Sequence, residues 1–214
     1  MNKSKNFKVQ LVAWSLALIV TLLSIYAWGV YRKWNITPYS SYTLFPLLGL
    51  IAFGLMWTHY IMGTIRDLLK VNEKVLKPFY AWTGYAVLLL ICLHPGILII
   101  QRFLDGAGLP PGSYKTYVAP SLAWVTLLGS ACLLIFLAFE LHRFFEKRTW
   151  WHWVVDASDF AMLAIAYHGL VLGRTLSQEW FKVIWFIYAS TLLIVIIRKY
   201  YLRITTNNKT SPAD

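Results

Sequence analysis

Six apolar runs, each about long enough to cross a lipid bilayer as a helix, constrain this 214-residue chain more than any other feature. The runs lie at about 9–30, 42–62, 80–100, 119–141, 151–172 and 180–197. Hydrocarbon offers no partners to backbone groups, so runs of this length predict helices, which satisfy those groups internally. With 58% hydrophobic and only 14% charged residues, the sequence predicts an all-α, six-transmembrane-helix bundle, with 1–214 as a single integral membrane domain.

The net charge of +11 raises the question of a nucleic-acid partner. The basic residues stand in tails and short loops between the apolar runs, so membrane lipid is the expected partner and nucleic acid is not. Fourteen of the 20 lysines and arginines lie on the side that carries both termini. The positive-inside rule therefore predicts cytoplasmic termini in a plasma membrane such as the bacterial inner membrane, with the first run as an uncleaved span.

Two histidines lie inside the third and fifth runs, where an ionisable side chain requires a partner or a function. His94 stands about six residues before the end of its run and His168 about four before the end of its own. Both runs point outward in the predicted orientation, so the imidazoles are expected roughly 6–9 Å below the outer boundary. Matched depth predicts a b-type haem held between these two spans by His94 and His168. Two imidazoles fill both axial positions of the iron, which suits single-electron transfer.

Arginines and glycines near the two histidines fit the same hypothesis. Arg102 and Arg174 are expected to pair with haem propionates at the outer edge, the alternative being ordinary flanking charges. Four glycines of the two spans would either admit a porphyrin plane to the backbone or serve plain helix packing. They are Gly84, Gly96, Gly169 and Gly173. No catalytic residue is predicted.

Two further histidines lie toward the inner side of the membrane. His59 stands near the inner end of the second run and His152 at the inner start of the fifth. They predict either a second haem, which would complete an electron path across the membrane, or interfacial histidines in contact with water and headgroups. One haem is the preferred prediction, and a second site at His59 and His152 stays open.

Four segments resemble the ferric reductase-like transmembrane domain family. They are R-D-L-L at 66–69, W-T-G-Y-A-V-L-L-L-I-C-L-H-P at 82–95, L-L-G-S at 127–130 and A-Y-H-G at 166–169. The family includes ferric reductases, the membrane parts of superoxide-generating oxidases and the haem subunit of a bacterial methionine sulfoxide reductase system. The resemblance implies a six-helix bundle that passes electrons through haem b. Many members carry a second histidine on each of the two spans, whereas this chain has Tyr80 and Val155 at those positions.

The resemblance further implies an iron-binding oxidoreductase subunit for electron transport, and the sequence itself predicts that it has no flavin or nucleotide domain of its own. No soluble segment is long enough for such a domain, and neither G-x-G-x-x-G nor G-x-x-x-x-G-K occurs. Electrons would come from a separate flavoprotein reductase or a quinol, which makes flavin or quinone a further expected cofactor. The acceptor would be external, either ferric iron or a partner redox protein.

Two alternatives to electron transfer stay open. The first is a haem-free structural or assembly subunit whose histidines only pack helices together. The second is a transporter, although transporters usually carry broken helices and midplane charges, and the span middles here are almost uncharged.

Overall fold

Six long helices dominate the computed structural model of this chain, which describes residues 3–35, 37, 40–141 and 145–210. Helix accounts for 84% of the described structure, and the described residues contain no strand. The helices are α1 Lys3–Tyr31, α2 Ser41–Leu68, α3 Lys77–Leu104, α4 Tyr114–Tyr117, α5 Ala123–Phe139, α6 Trp151–Leu172 and α7 Glu179–Thr210. All except the one-turn α4 are long and apolar enough to cross a membrane, α5 together with the 3₁₀ turn before it. The prediction of an all-helical chain with six membrane-length helices is confirmed.

Several helices continue past the end of their apolar run, so their ends differ from the predicted ends of the runs. α6 begins and ends at the predicted residues 151 and 172, whereas α2, α3 and α7 extend beyond the predicted runs. Arginine, lysine and leucine are good helix formers, so polar residues prolong these helices after the hydrophobicity falls. The fourth span begins later than predicted because Pro120 starts a separate 3₁₀ turn, Pro120–Leu122, and α5 begins only at Ala123.

Polar contacts between consecutive and distant helices define the two ends of the bundle. At one end, which we call the proximal end, α1 begins and α7 ends, and the Lys5 ammonium donates to the carbonyl of Leu69 just after α2. At the opposite, distal end, the Gln178 amide donates to the carbonyl of Ala27 at 2.8 Å. α3 and α6 therefore both run from the proximal to the distal end.

Aromatic packing joins the helices in the interior. The Phe53 and Trp185 rings of α2 and α7 stack at a centroid distance of 4.3 Å. The Trp185 indole N–H also donates to the carbonyl of Ala166 on α6 at 2.9 Å, and the Trp57 indole N–H donates to Thr191 Oγ1 at 2.9 Å. The most extensive helix pairings are α2 with α3 and α5 with α6. These two antiparallel pairs form the walls of the site described next.

Candidate cofactor site

A cavity of about 610 Å³ lies in the distal half of the bundle, bordered by α2, α3, α5 and α6. Its deepest part is apolar and is lined by side chains from all four helices. These include Phe53, Met56, Ile91, Leu133, Phe136 and Ile165. A volume of several hundred cubic ångströms with a mainly apolar lining is typical of sites that bury a small-molecule cofactor.

The two histidines predicted to act together both line this cavity. His94 on α3 places Nδ1 2.6 Å from the carbonyl oxygen of Phe45 on α2. His168 on α6 places Nδ1 2.9 Å from the carbonyl oxygen of Val125 on α5. Each ring is therefore held by the backbone of the helix that precedes it in the bundle, and in both cases through the same ring nitrogen.

These hydrogen bonds determine which nitrogen carries the proton. A carbonyl oxygen only accepts, so Nδ1 of His94 and of His168 must be the protonated nitrogen. A neutral ring then keeps a lone pair on Nε2. Among the described residues, none bonds to either Nε2. Histidines that ligate metals usually donate their other ring N–H to a carbonyl or carboxylate, which fixes the tautomer and the ring orientation.

Two arginines line the distal mouth of the cavity, and no aspartate or glutamate does so among the described residues. Arg174 follows α6 and is one of the arginines that the sequence predicted. Arg32, just after α1, was missed because a basic residue after a span is usually an ordinary flanking charge. The Nε of Arg32 is buried without a hydrogen-bond partner, and its Nη2 donates only to the carbonyl of Asn35 at 3.3 Å. Among the described residues neither arginine makes an ion pair, so the mouth carries two guanidinium groups without a bonded carboxylate.

The other predicted arginine, Arg102, does not line the cavity but lies beside its mouth. Its Nη2 donates to Thr116 Oγ1, and its Cζ lies 6.0 Å from the centroid of the Tyr117 ring. Tyr117 does line the mouth, and burial raises the pKa of its hydroxyl although the Arg174 guanidinium opposes the shift. The Tyr117 hydroxyl is therefore a neutral hydrogen-bond donor near pH 7.

A carboxylate close to the mouth is already occupied by polar partners. The Tyr42 hydroxyl, which belongs to a cavity-lining residue, donates to Asp105, and Gln101 Nε2 donates to the same carboxylate at 2.9 Å. These two bonds hold the pKa of the Asp105 carboxyl below its usual range. Asp105 therefore stays ionised at neutral pH and is held at the end of α3, outside the cavity.

The four glycines singled out from the sequence separate into two groups. Gly84 and Gly96 have open space around them, since a Cβ built on either meets nothing within 4 Å, and neither lines the cavity. Gly169 and Gly173 do line it. A Cβ on Gly169 would lie 2.4 Å from Cζ2 of Trp185, so this glycine permits close packing of α6 against α7.

The two histidines toward the proximal side do not line the cavity. His59 Nε2 lies 2.6 Å from Thr83 Oγ1, whose own proton goes to the carbonyl of Phe79 at 2.6 Å. His59 must then donate from Nε2, so it has the opposite tautomer to the cavity histidines. The His152 ring is exposed, and its Nδ1 donates to the carbonyl of Thr149 at 2.6 Å. A second haem at these residues stays a prediction.

Comparison with known proteins adds no relative: no family model, no curated protein and no solved structure matches the chain. In the part of the chain that the structure describes, no three His, Cys, Asp or Glu side chains gather as a metal-binding cluster. The class that the fold and the site define is a helical bundle with six membrane-length apolar helices, compatible with an integral membrane protein, and a pair of partly buried imidazoles in one cavity. Functional inference therefore rests on the cavity itself.

Proposed function

We propose that this chain is a membrane-embedded haem-b protein, similar to ferric reductase-like transmembrane domains, that carries single electrons to an acceptor outside the membrane. The observation that carries the proposal is a pair of imidazoles, from α3 and α6, that line one cavity with Nδ1 bonded to backbone. His94 and His168 would hold the haem iron through Nε2. When bound, the haem supplies a one-electron couple whose potential is set by its ligands and surroundings.

The residues around the cavity fit a haem. The deep lining is apolar, as the porphyrin faces require, and the volume of about 610 Å³ lies within the range of cofactor sites. Arg32 and Arg174 provide two cations at the mouth, which matches a group that ends in two carboxylates. Tyr117 adds a neutral hydroxyl donor at the same mouth.

The chain's own residues would prepare the site in three ways. The carbonyls of Phe45 and Val125 hold each imidazole in the tautomer that leaves Nε2 unprotonated. The apolar floor would exclude water from a bound haem, and lower solvent exposure is one determinant of haem potential. The mouth arginines would orient the porphyrin by their charge.

The remaining roles follow from the position of the cavity in the bundle. The donor would be a separate flavoprotein reductase or a quinol at the proximal end, so a flavin or quinone remains part of the proposal. The acceptor, ferric iron or a partner redox protein, would bind at the distal end, where the cavity has its mouth. The termini would be cytoplasmic in a bacterial inner membrane, since the proximal end carries most of the basic residues.

A haem-free structural subunit is the second candidate, and the same hydrogen bonds favour it. A membrane histidine that bonds a carbonyl of a neighbouring helix stabilises helix association without any cofactor. The two candidates differ in the Nε2 atoms, which have no function in the structural subunit and are the iron ligands in the haem protein.

The deciding experiment is a pyridine haemochrome spectrum of the purified protein, with the haem-to-protein ratio. We expect a low-spin haem-b spectrum that is lost or greatly weakened in His94→Ala and in His168→Ala. The matched control is His152→Ala, because that ring is exposed and outside the cavity. Absence of haem from the wild type, or an unchanged low-spin spectrum in both cavity variants, would overturn the proposal.

A further inference from the structure

The α2–α3 pair contains a local arrangement that accounts for the position of His94. The carbonyl oxygen of Phe45 accepts from His94 Nδ1, and four residues further along α2 stands Gly49. A Cβ built on Gly49 would lie 2.8 Å from both Cε1 and Nδ1 of the imidazole, closer than real Cβ contacts. The imidazole of His94 therefore occupies the space that a side chain at 49 would need.

The α5–α6 pair contains the same arrangement around His168. The carbonyl oxygen of Val125 accepts from His168 Nδ1, and four residues further along α5 stands Gly129. A Cβ on Gly129 would lie 2.7 Å from Cε1 and 2.9 Å from Nδ1. We call each carbonyl with its glycine an imidazole seat.

The glycine four residues after each carbonyl gives the imidazole room to reach an oxygen that already has a partner within the helix. In an α-helix the carbonyl oxygen of residue i accepts the N–H of residue i+4. The oxygens of Phe45 and Val125 must accept a second bond, from the imidazole, with their other lone pair. In these two helices a Cβ at i+4 would lie within 3 Å of the imidazole that forms this second bond. Gly49 and Gly129 leave that space to the ring.

The two imidazole seats also share a short sequence motif. Residues 45–50 read F-P-L-L-G-L and residues 125–130 read V-T-L-L-G-S, so both seats contain L-L-G at the same distance from the accepting carbonyl. α2 and α5 run from the distal to the proximal end, and α3 and α6 return. Two hairpins of equal direction that each carry one seat form a parallel repeat along the chain. Such parallel repeats are known in other membrane folds.

We propose that Gly49 and Gly129 are equivalent positioning residues of a duplicated ligand hairpin, each setting the tautomer and ring plane of one haem-ligating histidine. The inference rests on the proposed haem function for its consequence, although the seats themselves are visible without it. Neither glycine touches the iron in this proposal. Both act through the ring that they allow to approach the helix backbone.

The first test compares glycine-to-alanine variants at the seats with matched variants outside them. Gly49→Ala and Gly129→Ala each push the imidazole away from its carbonyl, so we expect altered low-spin EPR g-values and a lower haem-to-protein ratio. Gly84→Ala and Gly96→Ala are the controls, because both lie on α3 and both have open space for a Cβ. The controls should keep the wild-type spectrum. Wild-type g-values and haem content in both seat variants would overturn the proposal.

A second test keeps the glycines and removes the ring instead, in case a seat variant fails to fold. In His94→Gly, added 4-methylimidazole reproduces the missing side chain and retains a ring N–H for the carbonyl of Phe45. The isomer 1-methylimidazole has the same size and still ligates iron, but it has no N–H to donate. We expect 4-methylimidazole to restore the low-spin spectrum at about three- to tenfold lower concentration, the effect of one net hydrogen bond. Equal concentrations, in this variant and in His168→Gly, would overturn the proposal.

A third experiment tests the imidazole seats independently of haem binding. In ¹⁵N-histidine-labelled protein freed of haem, the nitrogen shifts of His94 and His168 should report protonated Nδ1, and Gly49→Ala should remove that signature from His94 alone. Protonated Nε2 at both rings of the wild type would overturn the inference. A wild type that binds no haem but shows the expected tautomers refutes the proposed function while the seats stand as a packing device.

Discussion

Removal of the Lys199 ammonium should destabilise the proximal end, because it deletes the cation that pairs directly with a buried carboxylate. Asp159 on α6 is 2% exposed and accepts from Lys199 Nζ at 2.5 Å. It also accepts from the hydroxyls of Tyr60 and Tyr200, both at 3.1 Å. The carboxylate thereby connects α2, α6 and α7. The perturbation is Lys199→Met, which keeps the aliphatic stem and deletes the charge.

The exposure of the two partners sets the expected magnitude. Removing one member of a fully buried ion pair typically costs about 3–5 kcal/mol, because the other charge is left uncompensated. The Lys199 side chain is 36% exposed, so water already screens part of this pair. The two tyrosine hydroxyls still bond the carboxylate after the substitution. We therefore expect a loss of about 1.5–3 kcal/mol in the free energy of unfolding.

A double-mutant cycle measures the interaction itself. The apparent unfolding free energy of wild type, Lys199→Met, Asp159→Asn and the double variant is read from tryptophan fluorescence during SDS titration of detergent-solubilised protein. Asparagine keeps an acceptor oxygen without the charge, so the double variant should resemble Asp159→Asn alone. The coupling energy should then equal the cost of Lys199→Met alone, about 1.5–3 kcal/mol. The matched control is the exposed pair Glu179 and Lys182, 3.7 Å apart, where coupling should be close to zero. Additive effects at Asp159 and Lys199 would refute the reasoning.

Three further predictions concern topology, packing and haem number. Lys115→Cys, in a cysteine-free background, should react with an impermeant maleimide added outside intact cells, and reaction only after permeabilisation would reverse the orientation. Gly169→Ala should lower the free energy of unfolding by about 1–3 kcal/mol in the same SDS assay, because its Cβ would lie 2.4 Å from Trp185; an unchanged midpoint contradicts this. The double variant His59→Ala, His152→Ala should keep the wild-type haem-to-protein ratio of one, and a fall from two to one would establish an inner haem.

The six spans could be predicted from the sequence because the signal is local. Each span is a continuous apolar run, and a bilayer gives such a run one stable form. The ends were less accurate for the same reason: hydrophobicity marks where a helix leaves hydrocarbon, and α7 continues as helix to Thr210 well after its apolar run stops near 197. Pro120 had the opposite effect, since it delayed the start of α5 to Ala123.

The sequence predicted only those residues of the candidate site that stand out individually by their side-chain chemistry. A histidine inside an apolar run is conspicuous, and His94 and His168 do line one cavity. The roles of Gly49, Gly129 and Arg32 depend on which helices pack against each other. No single segment of the sequence encodes that packing. The sequence does carry a signal for the two glycines, which is the L-L-G repeated at 47–49 and 127–129. This repeat can be interpreted only when the structure shows that a nearby backbone carbonyl accepts a hydrogen bond from each imidazole.

The depths of His94 and His168 in the bundle depend on the reference point from which they are counted. Counted from the distal helix ends, His94 lies ten residues before Leu104 and His168 four before Leu172, or about 15 and 6 Å, which are unequal depths. Counted from the distal starts of α2 and α5, the seats at Gly49 and Gly129 lie eight and six residues in, about 12 and 9 Å. The seats match better than the helix ends because α3 extends beyond the apolar run that was used to measure it. Depth in a bundle is thus set by what a side chain contacts on the neighbouring helix, and two equivalent contacts bring both rings to one cavity.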